Sequence, residues 1–183
     1  MKKRKSVSYS KDLEFPIDKV WSVISAPQNL ENCHPFCKTN STIEWHDQHH
    51  DVLQYLNGRK FYREFLIWTP MKGYELIIGE KNGPKSYVIW ELFEIERNRT
   101  KLKITVFPYL FAKTSKFLPI FPFWIKPRLS RYLYSVISGF EYYLQNGKPV
   151  PRNYFGQHPW FSWFNLLSIA KFNHSYNDCD NTA

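Results

Sequence analysis

The chain has 183 residues, a length typical of one domain with a substantial hydrophobic core. Aromatic residues make up 19% of it, and the formal net charge at neutral pH is +9. Part of that charge lies in the KKRK segment at positions 2–5, which can attract anionic lipid or nucleic acid but which we interpret as a solvated start. The remaining basic residues are scattered and no recognition motif occurs, so nucleic acid is not an expected partner.

The cysteine content and the N-terminal segment bear on the cellular compartment of the protein. Cys33, Cys37 and Cys179 are too few for a disulfide framework, which favours a reducing compartment. The basic start is followed by the alternating segment SVSYSKDLEF, so no signal peptide or membrane-spanning helix is predicted there. We therefore expect a cytoplasmic protein, with peripheral attachment to a membrane as an alternative.

The first part of the chain reads as a strand, two short helices and six further strands. Alternation predicts a strand at 6–15, which Pro16 ends, and apolar spacings of three and four predict a helix at 17–24. One more helical turn at 28–32 precedes His34 and Pro35. From residue 37 the apolar period becomes two, which favours a single antiparallel meander. The predicted strands are 38–45, 52–56, 59–69, 74–78, 85–96 and 101–107.

The longest helical pattern lies at 127–147. Its apolar face consists of Leu129, Tyr132, Leu133, Val136, Ile137, Phe140, Tyr143 and Leu144. A proline suits the first turn of this helix, and Asn146 with Gly147 suits its end. Because this face is wide and rich in rings, it must lie against something large. We predict an α+β helix-grip fold, in which a curved antiparallel sheet of about seven strands surrounds a long C-terminal helix, with two short helices after the first strand and a cavity between sheet and helix.

We predict a basic disordered start at 1–5, a ligand-binding domain at 6–148 and a C-terminal extension at 149–183. The connection at 109–126, YLFAKTSKFLPIFPFWIK, is far more apolar than connections usually are. We interpret it as a lid over the cavity mouth, with contact to a membrane surface or packing against the extension as alternatives. The predicted lid residues are Phe117, Phe121, Phe123 and Trp124.

Two segments carry a resemblance to a known superfamily. Residues 15–35, FPIDKVWSVISAPQNLENCHP, look like that family's opening strand end, amphipathic helix with Trp21, proline break and Asn-Leu turn. Residues 90–106, WELFEIERNRTKLKITV, are similar to its closing hairpin, with Thr100 after the turn. Over about 6–147 the chain thus resembles the SRPBCC superfamily of START-like helix-grip proteins, which includes polyketide cyclase/dehydrase-like proteins and lipid-transfer domains. The resemblance implies a hydrophobic cavity, and its motifs are structural rather than catalytic.

Two short clusters contain side chains of the types that bind metals. The HDQHHD segment at 46–51 lies in a predicted turn, where histidines point in different directions. The CHPFC segment at 33–37 lacks a second cluster to complete a site. We interpret the first as a solvated turn and the second as packing cysteines, and we predict neither a metal nor a cofactor.

His34 and Glu64 are the candidates for acid/base chemistry. His34 follows the second short helix, a place near the cavity rim in helix-grip folds, and the alternative is a histidine that closes the turn before Pro35. Glu64 shares one strand face with other candidate lining residues, and the opposite face carries arginines that should prefer water. We therefore predict that the face with Glu64 points inward, where its carboxylate would need a partner or a ligand. The predicted inward residues of this strand are Tyr62, Glu64, Leu66 and Trp68.

The neighbouring strands and the long helix complete the predicted cavity. Gly139, in mid-helix at a cost of about 1 kcal/mol relative to alanine, leaves room for close packing or for ligand. We expect a non-enzymatic carrier or sensor of a hydrophobic small molecule or lipid. The alternatives are a cyclase/dehydratase-type enzyme and a membrane-associated interaction module, and no oligomeric state follows from the sequence. The further predicted lining residues are Val88, Trp90, Leu92, Ile104, Val106, Val136, Phe140 and Tyr143.

Overall fold

A seven-stranded antiparallel sheet and one long helix form the body of the protein. The structure is a computed structural model that describes residues 5–108 and 121–162. The elements in chain order are β1 (Val7–Leu13), α1 (Ile17–Ile24), α2 (Asn29–Cys33), β2 (Cys37–Glu44), β3 (His50–Tyr55), β4 (Lys60–Thr69), β5 (Gly73–Gly79), β6 (Lys85–Glu96), β7 (Arg99–Phe107), a π-helical turn (Phe121–Ile125) and α3 (Lys126–Asn146). The predicted α+β helix-grip architecture is confirmed.

The sheet is a meander whose two ends are the first and second strands of the chain. Its strand order is β1-β7-β6-β5-β4-β3-β2, and each neighbouring pair is antiparallel. The helix α3 packs against β1, α1 and α2 and lies over the inner face of the sheet. There Phe140 of α3 meets Trp90 of β6 edge to face, with ring centroids 5.3 Å apart.

The bounds of α3 follow from its terminal residues. Pro127 lies in the first turn, where its missing N–H leaves no hydrogen bond unmade. At the other end, Gly147 adopts the left-handed conformation with φ of 63° and donates its N–H to the carbonyl of Tyr143. Glycine suits this position because a Cβ atom would make the left-handed conformation costly.

Gly139 of α3 has a packing role. A Cβ atom there would lie 2.1 Å from the carbonyl oxygen of Cys33 and 3.0 Å from Cδ of Pro35. The glycine therefore lets α3 approach the end of α2, and it leaves no room for a ligand. Cys33 and Cys37 are buried free thiols in the same region.

A cluster of aromatic rings fills one end of the space between sheet and helix. Tyr74 stacks on Trp68 at a centroid distance of 5.2 Å and on Trp90 at 5.4 Å. Trp21 of α1 meets Trp68 edge to face at 5.5 Å. Much of the aromatic content thus serves packing at this end. Within the described residues, no helix is long and apolar enough to cross a bilayer.

Candidate functional site

A cavity of about 110 Å³ lies between the sheet and α3, and Trp90 of the aromatic cluster forms part of its wall. Its wall is formed mainly by apolar side chains of β3, β5, β6, β7 and α3, so its surface is mostly hydrocarbon. These side chains are Leu53, Leu76, Ile78, Val88, Trp90, Ile104, Val106, Leu129, Leu133 and Val136. Such a wall favours an apolar molecule over water.

Some of the predicted lining residues lie in this wall and others do not. Leu92 and Phe140 are buried in the core but do not line the cavity, and Tyr143 is half-buried and packs against the core. The predicted residues that do lie in the wall are Val88, Trp90, Ile104, Val106 and Val136.

The prediction for β4 is wrong, because the opposite face of this strand points inward. Tyr62, Glu64 and Leu66 lie on the outer surface, where Leu66 is 50% exposed. The Glu64 carboxylate is half exposed and lies 4.0 Å from the ammonium of Lys85. The inner face carries Arg63, whose positive charge is balanced by the buried carboxylate of Asp51 rather than solvated by water.

Trp68 points inward as predicted, but for a different reason. A register irregularity between Phe65 and Ile67 interrupts the alternation of β4. A bulge of this kind moves later side chains to the other face. Trp68 therefore joins the aromatic cluster against Trp21 and Tyr74, outside the cavity wall.

Arg63 and Asp51 form a buried ion pair at the cavity. They lie opposite each other on β4 and β3, and their side chains are 4% and 0% exposed. Arg63 Nε donates to Asp51 Oδ1 at 2.7 Å, and Nη2 donates to Oδ2. Because Asp51 belongs to β3, the HDQHHD segment is only partly a turn, contrary to the prediction.

His34 begins a chain of hydrogen bonds along the cavity wall. Its Nδ1 accepts the backbone N–H of Phe36 at 3.1 Å, and its Nε2 lies 2.9 Å from the hydroxyl of Tyr132. The Tyr132 hydroxyl lies 2.9 Å from that of Tyr55. Burial, followed by the positive charge of Arg63, lowers the pKa of His34 to about 3, so the ring is neutral at pH 7. All but Phe36 line the cavity.

The tyrosines in this chain keep their protons at neutral pH. Burial raises the pKa of both Tyr55 and Tyr132 above the ordinary value for a phenol. Each hydroxyl therefore remains a donor as well as an acceptor. Together with His34 and Arg63, they form a polar end of the cavity, and Ser86 is the polar residue in the rest of the described wall.

Residues 149–162 cross over this polar end. The backbone N–H of Val150 donates to the Asn32 carbonyl at 2.8 Å, and Asn57 Nδ2 donates to the Trp160 carbonyl at 2.7 Å. Phe161 stacks on Tyr55 with centroids 4.2 Å apart and contributes to the cavity wall. This part of the predicted C-terminal extension therefore helps to close the cavity.

The predicted lid residues have three different surroundings. Phe121 is buried in the core, Phe123 is 85% exposed, and Trp124 is 43% exposed. The Trp124 ring lies 5.6 Å from that of Trp160. These three residues lie outside the cavity wall, and Phe117 lies outside the described residues.

The described residues contain no group of three or more His, Cys, Asp or Glu side chains that could hold a metal ion. Within the HDQHHD segment, His49 stacks on Trp68 at a centroid distance of 3.9 Å. The Asp51 carboxylate of the same segment is engaged in the ion pair with Arg63.

Several residues of the polar end were missed by the sequence analysis. Tyr132 belonged to the predicted apolar helix face, but nothing nearby in the chain indicated that its hydroxyl meets His34. Tyr55 fell in a predicted strand without being selected. Phe161 lies in the aromatic WFSWF segment, whose composition was the available signal for a contact with the domain.

Comparisons with known proteins reveal similarity at the level of structure. No family model matches the sequence, and no curated protein is significantly similar to it. A START superfamily protein from Mycobacterium smegmatis has a TM-score of 0.62 at 10% identity, covering 78% of this chain and 99% of that protein. DynU16, a protein of the dynemicin biosynthetic locus, has a TM-score of 0.59 at 16% identity, covering 79% of this chain.

The di-domain ARO/CYC protein BexL, from the BE-7585A biosynthetic pathway, has a TM-score of 0.62 at 10% identity, covering 77% of this chain. The chain spans only about half the length of the two biosynthetic proteins, 48% of DynU16 and 46% of BexL. At such low identity the likeness concerns the fold alone. The chain thus has the START-like helix-grip fold that its sequence indicated.

Proposed function

We propose that the protein binds a hydrophobic small molecule in the cavity between the sheet and α3, as a carrier or sensor. The observation that carries this proposal is an apolar wall with polar side chains collected at one end. Transfer of a ligand into such a cavity contributes about 25 cal/mol for each Å² of apolar surface removed from water. The polar groups then fix the orientation of the ligand.

The size of the cavity restricts the ligand. An apolar cavity of about 150 Å³ holds a molecule the size of benzene, and the cavity here measures about 110 Å³. The closed cavity is therefore somewhat smaller than benzene requires, and a ligand with one ring fits after a small outward movement of the wall. A lipid chain requires a larger movement of the wall, and Phe161 is a wall residue that belongs to the C-terminal extension rather than to the sheet.

Binding has more support than acid/base catalysis. Glu64 lies on the outer surface. Both ring nitrogens of His34 make hydrogen bonds, and a pKa of about 3 leaves this side chain a weak base at pH 7. We infer that His34 orients Tyr132 within the polar end.

The binding proposal is tested with cumene, a small apolar probe, by isothermal titration calorimetry. The wild-type protein should bind it, and Val88→Phe should abolish binding because the added ring occupies the cavity. Ile89→Phe is the matched control, because Ile89 is the next residue of β6 and does not line the cavity. Absence of binding to the wild type, or equal binding to Val88→Phe, would contradict the proposal. Native mass spectrometry of the purified protein would reveal a ligand that co-purifies.

We also propose a peripheral contact with anionic membranes, supported by the surface of the π-helical turn. Phe123 is 85% exposed and its neighbour Trp124 is 43% exposed. The basic residues Lys126 and Arg128 follow directly in α3. Exposed aromatic side chains beside positive charges suit the interface of a membrane that contains anionic lipids.

A further inference from the structure

The polar end of the cavity has more hydrogen-bond donors than acceptors. His34 Nδ1 already accepts the Phe36 N–H, so in the neutral ring the hydrogen is on Nε2. That hydrogen is donated to the Tyr132 hydroxyl at 2.9 Å. The direction of the first hydrogen bond in the chain is thereby fixed.

The hydroxyl groups of Tyr55 and Tyr132 together have two hydrogens, and the hydrogen bonds among His34, Tyr132 and Tyr55 use only one of them. Their hydroxyls are 2.9 Å apart, and this contact takes one of the two phenol hydrogens. Among the hydrogen bonds of the described residues, the other phenol hydrogen has no acceptor. If Tyr132 donates to Tyr55, the remaining hydrogen is that of Tyr55, whose side chain is 1% exposed and lines the cavity.

Arg63 adds further donors to the same end. Two of its five N–H groups bind Asp51. Within the described part of the chain, its Nη1 has no hydrogen-bond acceptor. Arg63 is one of the residues that line the cavity, and we infer that its remaining N–H groups reach the space that a ligand would occupy.

The charge of Arg63 is already balanced. Asp51 is fully buried beside it, so the pair has no net charge. A carboxylate or phosphate in the cavity would bring a second anion close to Asp51 without a second cation to compensate it. A buried charge of this kind is costly. An uncharged oxygen acceptor uses the donors without that cost.

We propose, on the basis of the binding function above, that the natural ligand is a neutral molecule with a carbonyl or ether oxygen at its polar end. This oxygen accepts hydrogen bonds from the Tyr55 hydroxyl and from Nη1 of Arg63. The apolar remainder of the ligand lies against the wall formed by β5, β6, β7 and α3.

Three probes of nearly equal shape distinguish which polar group of a ligand the cavity prefers. Acetophenone has a carbonyl, cumene has none, and benzoate has a carboxylate. Calorimetry on the wild-type protein should give an affinity for acetophenone at least about fivefold above that for cumene, the usual effect of one buried hydrogen bond. Benzoate should bind more weakly than both. The infrared carbonyl frequency of bound acetophenone should be lower than in an alkane solvent.

Tyr55→Phe identifies the donor. In this variant the spare hydrogen belongs to Tyr132, whose oxygen is 2.9 Å from that of Tyr55 in the wild type, so a carbonyl placed for Tyr55 loses its partner. The preference for acetophenone should fall by about threefold or more without disappearing, because the hydrogen bond from Arg63 Nη1 remains, while the affinity for cumene stays unchanged. Tyr62→Phe, on the outer face of β4, should change neither value.

Each alternative result has a separate meaning. Equal binding of acetophenone and cumene to the wild type, with an unshifted carbonyl frequency, would overturn the neutral-acceptor proposal while leaving the binding function intact. Tighter binding of benzoate would show that the site takes an anion and would overturn the proposal as well. If neither cumene nor acetophenone binds, the proposed binding function itself fails.

Discussion

The buried pair of Asp51 and Arg63 makes a sharp prediction about stability. In Arg63→Met the Asp51 carboxylate stays buried without its cation, and breaking a buried pair in this way costs about 3–5 kcal/mol. For a protein of this size each kcal/mol lowers the melting temperature by about 2–4 °C. The variant should therefore melt about 6–20 °C below the wild type in differential scanning calorimetry.

Two companion variants test the reasoning. Asp51→Leu combined with Arg63→Met should recover most of the lost stability, because a buried pair is often replaced by apolar residues without a net cost. Arg59→Met is the matched control, because Arg59 and Glu80 form an ion pair whose side chains are 41% and 47% exposed. An exposed pair contributes at most about 1 kcal/mol. The reasoning is refuted if Arg63→Met costs no more than Arg59→Met, or if the double variant is no more stable than Arg63→Met.

Three further predictions concern packing, pH and the membrane contact. Gly139→Ala should destabilise the protein by at least about 1–3 kcal/mol in urea denaturation, because its Cβ atom meets the Cys33 carbonyl, and a gain in stability would contradict that packing. Burial lowers the pKa of His34 to about 3 and that of His158 to about 4, so between pH 6.5 and 5 the unfolded chain binds protons that the fold excludes. As the pH is lowered through this window, the free energy of unfolding should decrease by up to about 1.4 kcal/mol per pH unit for each histidine. His34→Gln should reduce this slope. Phe123→Ser with Trp124→Ser should leave the fold intact but weaken cosedimentation with anionic vesicles, and unchanged cosedimentation would remove the membrane role.

The sequence predicted the architecture because most of the elements have a clear apolar period. The face of α3 contains residues three and four apart over five turns, and its ends are marked by Pro127 and Gly147. On β6 and β7 the predicted residues Val88, Trp90 and Ile104 are buried, but the alternation of β6 alone did not decide its inner face, because both faces carry large apolar side chains. A buried apolar face is a local signal, and it can be read from a short stretch of chain.

The polar end of the cavity depends on contacts that no local pattern reveals. Arg63 was expected to face water because it is charged, and its partner Asp51 is 12 residues away on another strand. The hydroxyl of Tyr132 meets Tyr55 across 77 residues and His34 across 98 residues. Such pairs satisfy buried polar groups only after the chain has folded, so the individual residues give no sign of them beforehand.

The most direct test of the account is to locate bound cumene by nuclear Overhauser effects to methyl groups labelled with carbon-13. Val88 and Val136 line the cavity, whereas Leu66 lies on the outer face of the sheet. If the cavity is the binding site, cumene should contact the methyl groups of Val88 and Val136 and none of those of Leu66. Contacts confined to Leu66, or no contacts at all at saturating cumene, would contradict the claim that the cavity between sheet and helix is the binding site.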